Sequence, residues 1–205
     1  MPRMLKIAQV TLVLVVIALR CSSAWAGPEE DYNKGVVTSK AGNYTEAVKW
    51  FRMAAEQGSV IAQFNLGSMY SNGQGVPRDH TEALKWFSIA AEQGSAPAQF
   101  NLGFMYHNGQ VVPQDYAEAL KWFSKAAKQG SAKAQTNLGY LYGSGKGVSQ
   151  DYVTAHMWHD LASSNGYKLG TEMRDLAAQW MTPAEIAEAQ SRADACLNSN
   201  YKNCD

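Results

Sequence analysis

The chain has 205 residues, carries 18 basic and 18 acidic side chains, and has a mean hydropathy of −0.32. That balance offers no cationic excess to a phosphate backbone, so nucleic acid is excluded as an expected partner. Past the N-terminal leader no segment approaches eighteen consecutive apolar residues, and the rest of the chain is expected to lack a membrane span.

The leader is the first element in the chain. Arg3 and Lys6 precede an apolar run from Val10 to Leu19, and Ala24-Trp25-Ala26 supplies the small-x-small pattern after which signal peptidase cuts. Residues 1–26 are therefore expected to be a signal peptide cleaved after Ala26, which makes the mature protein periplasmic or secreted. Cys21 follows Leu19 as in a lipoprotein motif, but Arg20 stands where acylation needs a small residue, and cleavage after Ala26 discards the cysteine. The leader holds three basic residues and no acid, so the mature chain has 15 basic against 18 acidic groups and a net charge of −3.

From residue 45 a period governs the sequence. Trp50, Trp86, Trp122 and Trp158 are each 36 residues apart, and the segments starting at Thr45, Thr81 and Ala117 align along their whole length. Self-similarity at this period marks a stacked array, not a single-core enzyme domain. Each copy encodes two helices. In the first, Ala47, Phe51, Ala54 and Ala55 make one apolar face by their i, i+4, i+7 spacing. Asn43, Asp79 or Asp115 stands three residues before Glu46, Glu82 or Glu118, the pattern of a capping box. Gly58, Gly94 or Gly130 ends that helix, and Ser59, Ser95 or Ser131 caps the second, with Pro97 in its first turn. Along the second helix Ala62, Leu66, Met69 and Tyr70 share a face. Gly67, Gly103 and Gly139 recur in its middle, each costing about 0.5–1 kcal/mol against alanine. A cost repeated in three copies predicts close backbone approach by the paired helix.

Between copies, the stretch SNGQGVPRDH at 71–80 has two glycines one residue apart, as phosphate-cradling loops do before a helix. In the second copy Val111 replaces Gly75, and a cradle dependent on its second glycine does not tolerate that change. The loop is read instead as ending one helix at Gly73, Gly109 or Gly145 and capping the next at Asp79, Asp115 or Asp151.

The blocks EALKWF, AAEQGS, AQFNLGFMY and NGQVVPQDY, repeated in the same order, resemble the Sel-one-like repeat family, a relative of the tetratricopeptide repeat. The resemblance covers residues 45–152 as three repeats. It makes 27–44 an N-terminal leading helix and 153–205 a degenerate repeat with a C-terminal capping helix and tail. It implies an all-α fold, a right-handed α/α superhelix or solenoid of about four 36-residue helix-turn-helix repeats. It also implies an adaptor that holds a protein or peptide partner on the concave face. Some secreted members of that family are assigned penicillin-binding or host-factor-binding roles. The alternatives are therefore a binder or weak hydrolase of a small cell-wall-related ligand, such as a β-lactam or peptidoglycan fragment, and a host-directed virulence factor.

The rest of the chain is short of chemistry. No GxSxG, HExxH or CxxC motif occurs, so no catalytic residue and no cofactor is expected. GSGKGVS at 143–149 lacks the spacing and the hydroxyl of a Walker loop. His156 and His159 lie at i, i+3 with Asp160 beside them, the start of a zinc site. They replace the Leu120 and Phe123 columns and have no further ligands at fixed spacing, so they are read as part of the capping unit and no metal is expected. Asn43-Tyr44-Thr45 is a glycosylation sequon whose asparagine is read as a helix cap. Thr182, Pro183 and Glu185 open a final helix at N-cap, N1 and N3. Cys196 and Cys204, an even pair in an oxidising compartment, are expected to staple the tail as a disulfide.

Specificity is expected where copies differ. Arg52/Ser88/Ser124, Met53/Ile89/Lys125, Ser68/Phe104/Tyr140 and Ser71/His107/Gly143 change while their neighbours stay fixed. First helices line the concave groove of tetratricopeptide-like arrays, so Lys49, Arg52, Met53, Lys85, Ile89, Lys121, Lys125 and Lys128 are the expected partner-binding residues. The stripe Lys121, Lys125, Lys128 suits an acidic partner, although a solvated helix face accounts for it more simply.

Overall fold

A computed structural model describes residues 27–204, so the expected leader, its cleavage site and Cys21 lie outside the described residues. Among the described residues there are ten α-helices and no strand. They are α1 (Pro28–Lys40), α2 (Tyr44–Glu56), α3 (Val60–Asn72), α4 (His80–Glu92), α5 (Ala96–Asn108), α6 (Tyr116–Ala127), α7 (Ala132–Ser144), α8 (Tyr152–Ser164), α9 (Lys168–Ala178) and α10 (Pro183–Asn198).

Local chemistry sets the boundaries. The side chains of Asn43, Asp79 and Asp115 accept from the backbone N–H of Glu46, Glu82 and Glu118, and Ser59, Ser95 and Ser131 accept from Ala62, Ala98 and Ala134. Gly58, Gly94 and Gly130 take positive φ between the paired helices. The expected capping box is only half made in the repeats. Among the described helices both of its bonds form at Thr182 and Glu185 alone. In the repeats, Glu46 and Glu118 reach forward to Lys49 and Lys121 at 3.0 and 2.9 Å, because a cation one turn on competes for the carboxylate.

The core is divided into three clusters, and each is closed by the next unit. Trp86 packs with Ala47, Phe51, Leu66 and Met69, while Trp122 packs with Ala83, Phe87, Leu102 and Met105. Trp158 packs with Phe123, Leu138 and Leu141, joined there by Ala189 and Ala193 of α10. The periodic tryptophan is thus a bolt into the preceding unit, and a buried indole removes about 150–250 Å² from water. Trp50 stays half-exposed, with Lys34 Nζ of α1 4.8 Å from the ring centroid.

The mid-helix glycines admit a ring, which corrects the expectation of backbone approach. A Cβ on Gly67 would stand 2.8 Å from the Phe87 ring, on Gly103 2.8 Å from Phe123, and on Gly139 2.6 Å from His159. Each intruding ring comes from the first helix of the following unit and lies across a turn with no side chain. The nearest backbone atom at Gly67, the Ala83 oxygen, is farther, at 3.4 Å.

A ladder of amides runs through the same joints. Gln57 Nε2 donates to Asp31 Oδ2 (2.7 Å), Gln93 to Gln63 Oε1 (2.9 Å), Gln129 to Gln99 Oε1 (2.7 Å), and Asn165 Nδ2 to Gln135 Oε1 (3.0 Å). Gln63, Gln99 and Gln135 are buried and donate in turn to the carbonyls of Ala55, Ala91 and Ala127. The buried glutamines both accept and donate within the ladder, which is the condition for burying an amide without loss, whereas the buried Asp31 at its start keeps Oδ1 without a partner among the described residues.

The inter-repeat loop keeps its shape when its second glycine is lost. Gly75, Val111 and Gly147 have φ of 74°, 72° and 74°. A valine held there is a strained residue, costing on the order of 1–3 kcal/mol. The Val111 substitution therefore does not rule out a cradle by altering the backbone, as the sequence suggested. At the two glycine versions of the turn the helix start lies close: a Cβ on Gly75 would lie 2.3 Å from the Tyr44 carbonyl oxygen at the start of α2, and one on Gly147 2.6 Å from the Tyr116 carbonyl carbon at the start of α6. At the other end of the molecule, α8 is covered by both α9 and α10, and a disulfide joins the buried Cys196 and Cys204, Cα atoms 4.6 Å apart.

Candidate partner-binding surface

The outward face of the first helices carries the residues singled out in the sequence. Lys49, Arg52, Met53, Lys85, Lys121 and Lys125 are exposed, on α2, α4 and α6. Ile89 and Lys128 are half-buried: Ile89 packs against the core cluster of the first repeat, and Lys128 is the C-cap of α6. The lysine columns are locally neutralised. Lys49, Lys85 and Lys121 face Glu46, Glu82 and Glu118 at 3.0, 3.6 and 2.9 Å. Lys121 and Lys125 also lie over the Trp122 ring, 5.5 and 4.2 Å from its centroid, and the Trp122 indole N–H donates to Glu118. Arg52 donates to the Tyr70 hydroxyl. This face is a set of salt-bridged, aromatic-backed stems more than a cationic stripe.

The family model of the Sel1 repeat matches four consecutive units, residues 28–59, 60–95, 96–131 and 132–167. The chain belongs to the Sel1 repeat family. Its Sel1 units begin one helix before the tryptophan period, pairing α1 with α2 and α7 with α8. Among solved structures it is similar to a Sel1 repeat protein from Oxalobacter formigenes, 36% identical over 61% of this chain and 94% of that one, with a TM-score of 0.58. It is also similar to c5321, a protective antigen present in uropathogenic Escherichia coli strains and displaying an SLR fold. That match is 27% identical, covers 85% of this chain and 47% of the antigen, and has a TM-score of 0.55. The chain therefore spans about half the length of that antigen. No match is found among curated proteins.

The last Sel1 unit departs from the others. His156 and His159 are buried, and His159 lies across Gly139 as Phe123 lies across Gly103. Desolvation holds the His159 imidazole down to about 4, with a smaller contribution from His156, and burial also lowers His156 against the opposing pull of Asp160. Both rings are neutral at pH 7, and the Nδ1 of each is buried without a hydrogen-bond partner among the described residues. Asp160 is engaged by Arg174 at 3.1 Å. No group of three or more His, Cys, Asp or Glu side chains among the described residues is placed to hold a metal.

The sequence reading missed the aromatic surface beside this unit. Trp180 is 70% exposed and stacks nearly parallel on Tyr152, ring centroids 6.4 Å apart, with Leu176 and Tyr140 also exposed nearby. The signal was present in Trp180 itself, a tryptophan outside the 36-residue register and so not needed as a bolt.

Proposed function

We propose that this Sel1 protein is an exported adaptor that holds a protein or peptide partner on the face of its first helices, without catalysis. One observation carries the reading: on the first helices the repeated apolar positions such as Phe51, Phe87 and Phe123 are buried in the joints, while Arg52, Met53 and Lys125 of the changing columns stand exposed. A rigid array that presents variable side chains on a constant frame binds with little ordering cost. Export is supported by the sequence of the leader and by the Cys196–Cys204 disulfide, a bond that persists in oxidising compartments. No helix among the described residues is long and apolar enough to cross a membrane.

The test is a crosslinking capture with the chain from Gly27 onward, set against a triple variant, Arg52→Glu, Met53→Glu and Lys125→Glu. A partner captured by the first and lost by the second, at equal melting temperature, supports the reading. Equal capture by both moves the binding face elsewhere. A saturable rise in melting temperature with a β-lactam or a muramyl peptide, without any captured protein, favours the small-ligand alternative. A host-directed role is the second reading, favoured by the protective-antigen status of the similar c5321. Capture from host serum but not from a periplasmic fraction distinguishes it.

A further inference from the structure

We propose that the C-terminal unit contains a pocket for one aromatic side chain of a partner peptide, at the place where the second copy seats its own His107. The proposal deepens the adaptor reading and rests on it for the source of the ring.

In the second copy the His107 ring stands edge-on to Tyr116 and Tyr140, centroids 5.5 and 5.9 Å away, and is tilted against Phe123 at 6.4 Å. One period later those four positions are Gly143, Tyr152, Leu176 and His159. The walls survive as a phenol ring, an aliphatic chain and an imidazole in the place of phenylalanine, while the central side chain is gone. The structure has a cavity of about 190 Å³ there, lined by these four residues together with Tyr140, Met173 and Trp180. Apolar cavities of roughly 150 Å³ take up a benzene molecule, so this volume suits one ring and not two. The opening is not forced by helix packing. A Cβ on Gly143 would stand 3.4 Å from that of Ala155, an accommodable distance, so glycine here leaves free a space that a side chain of this chain would otherwise enter.

The chemistry of the wall narrows the occupant. No charged side chain lines the cavity, which favours an uncharged ring. His159 contributes a neutral ring to that wall, its Nδ1 buried and closed to solvent. At the mouth, the exposed indole of Trp180 is held parallel to Tyr152. A large aromatic kept in water beside an apolar cavity has the form of an interface anchor, since such residues concentrate binding energy around a central pocket.

The experiment titrates the chain from Gly27 onward with N-acetylated, C-amidated Gly-Phe-Gly, Gly-Tyr-Gly and Gly-Leu-Gly and with free phenol, following NMR shifts of the Gly143 amide and the Trp180 indole. Saturable shifts with the two aromatic peptides are expected, with the leucine peptide about fivefold weaker. Gly143→His, which restores the second copy's own ring, should weaken the aromatic peptides about tenfold without lowering the melting temperature. Trp180→Ala, a change at an exposed side chain, should weaken them severalfold. The pocket is overturned by an absence of saturable shifts, by equal binding of the leucine peptide, or by a Gly143→His variant that binds as the wild type does. Phenol binding without aromatic-peptide binding overturns the peptide source. If Gly143→His still captures the crosslinked partner at the wild-type level, the pocket falls and the adaptor reading stands. If aromatic peptides bind to a chain that captures no protein, the adaptor reading falls and the pocket stands.

Discussion

The second copy and the C-terminal unit use the same columns and fill them differently. In the second copy Phe123 covers Gly103, and His107 fills the space between Tyr116, Phe123 and Tyr140. In the C-terminal unit a neutral histidine covers Gly139, and the space beside it is left open at Gly143. An interior repeat is sealed by its neighbour, so its rings are selected for packing alone. A terminal repeat has α9 and α10 in place of a next unit, and its columns are free to carry polar atoms and a cavity.

Phe123→Ala should break the comparison most severely. Phe123 is fully buried across Gly103, and its loss should cost about 3–5 kcal/mol, read as a shift of the urea midpoint at constant slope. A cost under about 2 kcal/mol would mean that the glycine joint is not tightly packed.

The His159 joint should instead respond to pH. Its folded value of about 4 lies below the unfolded 6.5, so the unfolded state binds more protons between them. Stability from this residue is complete above about pH 6.5 and lost as pH falls toward 4, by up to roughly 3 kcal/mol. His156, Asp160, Arg174 and Asp175 are the ionisable groups around this histidine pair. His159→Phe, the residue used one period earlier, should flatten that slope in melting temperatures taken from pH 4.5 to 7.5. An unchanged slope would assign it to another group.

Smaller effects sharpen the contrast. Replacing both Cys196 and Cys204 by serine should cost about 2.5 kcal/mol from the short loop released, measured by chemical denaturation under oxidising conditions. Val111→Gly should stabilise the second copy by about 1 kcal/mol, because a left-handed valine becomes a residue indifferent to the sign of φ. A destabilised variant would show that valine packing outweighs the strain. Lys121→Ala should change stability by less than about 0.5 kcal/mol, as expected for an exposed ion pair.

Much of this fold was legible because its signals are local and repeat. The caps at Asn43, Asp79, Ser59 and Ser95, the left-handed Gly58 and Gly94, and the apolar face of Ala47 and Phe51 follow from residues within one turn of each other. What the mid-helix glycines admit was not legible, since Phe87 and Phe123 arrive from the next unit and the period aligns columns without saying which of them touch. The same limit hid the amide ladder: Gln57, Gln63, Gln93 and Gln99 stood in plain view as family blocks, but their pairing depends on how the helices face. Of the candidate surface, Arg52, Met53 and Lys125 are exposed as variable columns should be. Ile89 and Lys128 are half-buried, because one leans on the preceding unit and the other ends its helix. The pocket was legible only as an oddity, a glycine at 143 where the other copies carry Ser71 and His107.

The amide ladder also bears on how such a chain can change its length. Three of the four rungs join residues 30 positions apart, as Gln93 with Gln63 or Gln129 with Gln99, and the first, Gln57 with Asp31, joins residues 26 apart. Excision of residues 60–95, one family unit, would remove both Gln63 and Gln93 and leave Gln57 with Asp31 and Gln129 with Gln99. No buried amide would be orphaned at the new junction. Genes built this way can gain or lose whole repeats by recombination without passing through an intermediate that misfolds for want of a hydrogen bond, so array length can evolve separately from the surface it displays.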